Sequence, residues 1–132
     1  MRLLLDTHAF LWWLAGDRRF PVIARRAVQD EVNQIFVSAA SAWEVATKTR
    51  LGKLPDAEFI ADEFGEHVSG QGFVELPITI AHAQRAGLLP GPHRDPFDRV
   101  LIAQALDEGL ILVSNERIFD RYGVRRLWMG VT

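Results

Sequence analysis

Four acidic side chains stand where α/β proteins ordinarily do chemistry. Asp6 closes the apolar run Arg2-Leu3-Leu4-Leu5, Glu44 follows the run Ile35 to Ser38, and Glu116 follows Leu110 to Val113. Asp98 lies in the start of a helix, His93-Arg94-Asp95-Pro96-Phe97-Asp98-Arg99. Ligands of open parallel sheets bind in the crevice beyond the carboxyl ends of the strands, which is where such acids point. Each has an ordinary explanation taken singly. Asp95 as N-cap, Pro96 at the first helical position and Asp98 at the third are favoured by the physics of a helix start. Glu44 and Lys48, four apart, make an ion pair worth about 0.3–0.5 kcal/mol on a helix surface. Gathered in one cleft, the acids would repel, by about 4 kcal/mol for two unit charges about 4 Å apart at an effective dielectric near 20. Such a cluster needs a cation. Oxygen donors without thiolate suit Mg²⁺ or Mn²⁺, held through a few carboxylates, waters and substrate phosphates. An ion so placed points to phosphoryl chemistry, and no side-chain nucleophile is then required.

Positioning these acids calls for strands alternating with helices. A first helix is expected from Thr7, as cap, to Ala15, stopped by Gly16. Its residues Ala9 to Leu14 are apolar around the whole circumference, so it is expected to be buried on more than one side, with a tryptophan free to face a second chain. A second helix is expected from Pro21 to about Val32, and a third from about Ala40 to Leu51, closed by Gly52. On the third, Ser41, Glu44 and Lys48 share a stripe while Trp43 and Ala46 point elsewhere. An amphipathic helix over 56–68 presents Phe59, Ile60, Phe64 and Val68 as its apolar face. A strand at Phe73 to Leu76, a helix over Ile80 to Leu88, the long helix ending near Glu108, a short helix over Glu116 to Tyr122 and a last strand over Val124 to Trp128 complete the chain. The order predicts one α/β domain spanning 1–132, with a mostly parallel sheet of about five strands and helices on both faces.

Composition narrows the function classes. With 48% hydrophobic residues in 132 there is enough for one real core and no second domain. The absence of cysteine excludes disulfide scaffolds and thiolate metal sites. A net charge of −2 argues against a protein that coats nucleic acid by bulk electrostatics, while leaving room for one that acts on RNA at a local site. Asp6 and His8 interrupt the apolar stretch Leu3 to Leu14, which therefore does not read as a secretion signal. No run approaches the roughly 20 apolar residues of a membrane span, and the expected location is cytoplasmic, without membrane association.

Four motifs in order carry a family resemblance. LLLDTHAFLWWL, SAWEVATK with LGKL, HRDPFDRVLIAQA and LVSNERIFDRYGV together span nearly the whole chain, and the sequence resembles the PIN-domain ribonucleases of the VapC toxin type. The resemblance implies a PIN-like fold and hydrolysis of RNA phosphodiesters by a metal-activated water. It implies catalytic, metal-binding acids at Asp6, Glu44 and Asp98. Glu116 takes the fourth place, where the family usually has aspartate, and would hold or water-bridge a second ion; Asp95 is an auxiliary candidate. Thr7 and Ser114 would orient ligands or phosphate, and Lys48, His93, Arg94 and Arg99 are candidates for RNA contact. Implied partners are a small cognate antitoxin and a second copy in a homodimer, with Trp12, Trp13 and the 59–68 face as contact surfaces.

Two other readings compete. An aspartyl phosphotransferase also places an acid after the first strand, but the haloacid-dehalogenase-like pattern wants a second acid where His8 stands. A catalytically weak or inactive PIN-like scaffold that only binds an antitoxin is favoured solely by Glu116.

Overall fold

A computed structural model describes residues 1–131. Its strands are β1 (Arg2–Leu5), β2 (Gln34–Ser38), β3 (Val74–Leu76), β4 (Ile111–Val113) and β5 (Arg126–Leu127). They form one sheet in the order β3-β2-β1-β4-β5, and every pairing within it is parallel. The helices are α1 (Thr7–Ala15), α2 (Val22–Gln29), α3 (Ala39–Arg50), α4 (Glu58–Ala61), α5 (Phe64–Gly70), α6 (Ile80–Leu88) and α7 (Pro96–Glu108), with 3₁₀ turns at Pro55–Ala57 and Arg117–Tyr122.

Successive strand side chains point to opposite faces, and this divides the core into two layers. Leu3, Leu5, Ile35, Val37, Ile111 and Val113 pack on one side against Phe10, Phe20, Ile60, Phe64 and Val68. Leu4, in register with Phe36 and Leu112, packs on the other side against Leu101, Ile102 and Ala105 of α7. β1 is therefore buried on both faces, as its unbroken leucine run implies. The chain leaves β1 for β2 on one side and reaches β4 on the other. That reversal opens a crevice at the carboxyl end of β1, beside Asp6.

Several boundaries differ from the sequence expectation. Asp6 caps α1, not Thr7: its side chain accepts from the Ala9 N–H at 2.8 Å. Capping by the strand-end acid frees the Thr7 hydroxyl for another partner. α1 is buried through Thr7, Ala9 and Phe10, whereas Trp12 and Trp13 are half-buried in an aromatic cluster with Phe20, Phe73 and Trp128 of the same chain. α2 ends at Gln29, short of Val32. The helix expected over 56–68 is broken into a 3₁₀ turn, α4 and α5. It bends where α5 swings in against β3; a Cβ on Gly65 would stand 3.1 Å from Glu75 Oε1 there. Ile60, Phe64 and Val68 are buried, but Phe59 is turned away and 55% exposed, edge-on to His67. The last strand shrinks to Arg126–Leu127 at the sheet edge, as edge strands commonly do.

Candidate active site

The crevice is built from helix starts. β1 delivers Asp6; Ser38 at the end of β2 caps α3 by accepting from the Ala40 N–H at 3.0 Å, and α3 then carries Ser41, Glu44 and Lys48 inward. The expected stripe is observed: Ser41 and Glu44 are buried and Lys48 half-buried, while Trp43 and Ala46 face solvent. α7 begins at the same end of the sheet. Asp95 caps it through Oδ1, which accepts from the Phe97 and Asp98 N–H groups at 2.9 and 3.2 Å. Ser114 and Glu116 follow β4.

These elements enclose a cleft of about 140 Å³ lined by Asp6, Thr7, His8, Glu44, Lys48, His93, Asp95, Asp98 and Glu116. All four acids singled out by position reach it, together with Asp95. His8, two residues past Asp6, also lines the cleft; it was not among the expected site residues, and its spacing from Asp6 was the available signal. Thr7 Oγ1 donates to Glu44 Oε1 at 2.6 Å and is hydrogen-bonded to the Ser41 hydroxyl at 3.0 Å. Lys48 donates to the other Glu44 oxygen. His93 Nε2 pairs with Asp98 Oδ2 at 2.7 Å, and the Ser114 hydroxyl bonds Asp6. Ser114 Oγ also accepts from the Glu116 N–H at 3.0 Å, fixing the turn after β4.

Two expected RNA contacts fare differently. Arg94 is exposed beside the cleft. Arg99 is half-buried, and its guanidinium donates to the carbonyl oxygens of Ala86, Leu89 and His93, which ties α6 and the loop after it to the start of α7.

The electrostatics show excess negative charge. Burial lifts Asp6 from 3.8 to about 7, against the hydrogen bonds from Ser114 and Ala9, and the charges of Asp98 and Glu116 add to the rise. Burial likewise lifts Asp98 from 3.8 to about 6; the His93 bond opposes this, and Asp95, Glu44 and Glu116 reinforce it. Burial works against the Lys48 ammonium, but its bond to Glu44 and the charges of Glu44, Asp95 and Asp98 hold it above its ordinary range. The carboxylates of the cleft are hard oxygen donors of the kind a divalent cation takes, and in the free chain Lys48 and His93 pair two of them. As the side chains are oriented, no three histidine, aspartate or glutamate groups among the described residues stand in position to hold an ion together. Glu44 and Asp98 are turned onto Lys48 and His93 instead.

Comparison with known proteins places the chain. Residues 3–125 match the PIN domain family. The chain is 30% identical over 118 residues to Ribonuclease VapC22 of Mycobacterium tuberculosis, covering 86% of each protein. In fold it resembles the crystal structure of VapBC2 from Rickettsia felis bound to a DNA fragment from their promoter, with TM-score 0.64, 15% identity and complete coverage (100%) of both chains. It also resembles VapBC-1 from nontypeable Haemophilus influenzae, with TM-score 0.64, 14% identity and coverage of 96% of this chain and 97% of that one. A parallel five-stranded sheet with acids at its carboxyl edge, matched along nearly its whole length, makes this chain a member of the PIN-domain family, in its VapC branch.

Proposed function

We propose that the chain is an Mg²⁺- or Mn²⁺-dependent endoribonuclease, the toxin of a toxin–antitoxin pair acting in the cytoplasm. The observation that carries this reading is the convergence of Asp6, Glu44, Asp98 and Glu116 on one small polar cleft, with Asp6 and Asp98 lifted chiefly by burial and further by neighbouring carboxylates. The names of the relatives, a VapC ribonuclease and two VapBC complexes, support it.

In this reading Asp6, Glu44 and Asp98 are the core metal ligands. Glu116, exposed on the turn after β4, would hold or water-bridge a second ion. A bound divalent ion supplies a more acidic water and neutralises charge on the scissile phosphate and the leaving oxygen. Thr7 orients Glu44, and Ser114 orients Asp6 while tying Glu116 to the same turn. Lys48 and His93 occupy the carboxylates in the free chain; released from Glu44 and Asp98, they stand at the rim beside Arg94, where a phosphate backbone needs cations. Asp95 serves α7 as its cap.

An antitoxin and a second copy of the chain are the proposed partners. A groove of about 320 Å³, lined by His8, Leu11, Trp12, Arg19, Leu54 and Phe59 among others, runs beside the cleft and shares His8 with it. It suits an antitoxin segment that ends near the acids.

The deciding experiment is cleavage of a total RNA pool by antitoxin-free protein with Mn²⁺ or Mg²⁺, with the cut ends sequenced and chelator and Asp6→Asn controls. Discrete cuts that require both metal and Asp6 are expected. Absence of cuts together with absence of metal binding would return the chain to a binding scaffold.

A further inference from the structure

Two aromatic side chains outside the cleft lining, each next in sequence to one of its acids, meet between α3 and α7, and the hydrolytic reading leaves them without a task. Trp43 directly precedes Glu44 on α3, and Phe97 directly precedes Asp98 on α7. The two rings meet edge to face, with centroids 4.7 Å apart and planes at 75°. Trp43 is nonetheless 55% exposed. Among the described residues the other aromatic side chain so exposed is Phe59, which lines the neighbouring groove. Phe97 thus braces an indole in one orientation, one residue along α3 from Glu44, while leaving much of it in water.

Charge explains why such a ring is useful there. The net charge is −2, and the cleft itself is acidic, so the chain cannot hold a polyanion by bulk attraction. Stacking needs no charge, tolerates any base, and acts on the unpaired nucleotides that flank a cut in single-stranded RNA. A phosphodiester seated on Glu44 and Asp98 has its own bases as its nearest neighbours.

We propose that Trp43, braced by Phe97, is a stacking platform for a nucleobase next to the scissile phosphate of single-stranded RNA. The proposal rests on the ribonuclease reading above. Its probe is fluorescein-labelled oligoadenylate, titrated against the full chain carrying Asp6→Asn to prevent cutting. Trp43→Ala is expected to weaken binding roughly tenfold, the scale of one lost base stack. Trp43→Phe, which keeps a ring, recovers most of the affinity; Trp43→Leu, which keeps apolar bulk alone, does not. An abasic oligomer of the same length binds all of these alike. In the active protein, Trp43→Ala raises KM for pool cleavage and leaves kcat nearly unchanged.

Equal affinity of Trp43→Ala and its parent for oligoadenylate, with equal KM on the pool, overturns the platform while leaving the nuclease intact. So does sedimentation showing that Trp43→Ala dissociates a dimer without changing RNA affinity, since the ring would then belong to a contact between copies. A parent protein that neither binds the oligomer nor cuts the pool with Mn²⁺ overturns the ribonuclease reading and the platform together.

Discussion

The Asp6 carboxylate caps α1, accepts from Ser114 and faces the charges of Asp98 and Glu116. Its value rises from 3.8 to about 7 on folding. Between those limits the folded chain holds the proton more tightly than the unfolded one, so stability falls as pH rises through the window. Asp98, lifted from 3.8 to about 6, acts in the same direction. Asp17, held down to about 2 by hydrogen bonds from Arg19, loses its contribution only below the window. Each tenfold of unfavourable ionisation costs about 1.4 kcal/mol. Melting followed in chelator is therefore expected to drop from about pH 4 to about pH 8, and Mg²⁺ or Mn²⁺ to restore it at the upper end. Asp6→Asn should flatten that slope, raise metal-free stability near neutrality and abolish cleavage; a slope unchanged by the substitution would show that Asp6 is not the group responsible. Thr7 gives a second residue-scale expectation. Its hydroxyl sets one Glu44 oxygen, and loss of such a supporting bond typically weakens metal affinity or activity by about 10–100-fold. Thr7→Val should show that loss by calorimetric metal titration and by cleavage rate, and Thr7→Ser should largely avoid it.

At the scale of elements, α7 is the best-specified helix. Asp95, Pro96 and Asp98 mark its start, and Gly109, at φ 65°, closes it in the left-handed conformation that glycine accepts most readily. Because Asp95 spends Oδ1 on two helix N–H groups, Asp95→Ala is expected to cost about 1 kcal/mol, read as a melting shift of about 4 °C. Asp95→Asn retains the cap and should leave both stability and metal affinity nearly intact. A large fall in metal affinity for Asp95→Asn would instead make Asp95 a ligand. α3 depends on its neighbours more than on its own sequence: its stripe of Ser41, Glu44 and Lys48 gains meaning only because α1 presents Thr7 and α7 presents Asp98 opposite.

For the whole molecule, the two sides of the 59–68 segment have opposite roles. Phe64 belongs to the core and Phe59 to the groove beside the cleft. Phe64→Glu is expected to unfold the chain, which circular dichroism would show, whereas Phe59→Glu should leave the fold intact and weaken antitoxin binding measured by calorimetry. Unaltered antitoxin affinity in Phe59→Glu would move the partner surface elsewhere. Among the described residues no helix is long and apolar enough to cross a membrane.

Local rules made much of this protein legible from its residues. The leucine run before Asp6, the cap at Asp95 and the glycine stops depend on neighbours in sequence, so strands, helix starts and the places of the acids could be read directly. Four motifs in order also identified the family. Contacts between distant segments could not be read that way. His82 lies within the helix expected over Ile80 to Leu88, and no local pattern marks it. Folding buries it and places Nε2 2.8 Å from Glu108 Oε1, with Nδ1 accepting from the Thr79 N–H at 3.1 Å. The three carbonyls that Arg99 holds, from Ala86 in α6 and from Leu89 and His93 in the loop after it, were equally out of reach of local rules. The break in the 56–68 helix, the aromatic packing of Trp12 and Trp13, and the turning of Glu44 and Asp98 onto Lys48 and His93 belong to the same class. Side-chain type and local spacing decide which groups can do chemistry, because capping and periodicity act over a few residues. Which groups meet, and which are already paired, depends on the crossover that carries the chain from one side of β1 to the other, and only the tertiary structure settles it.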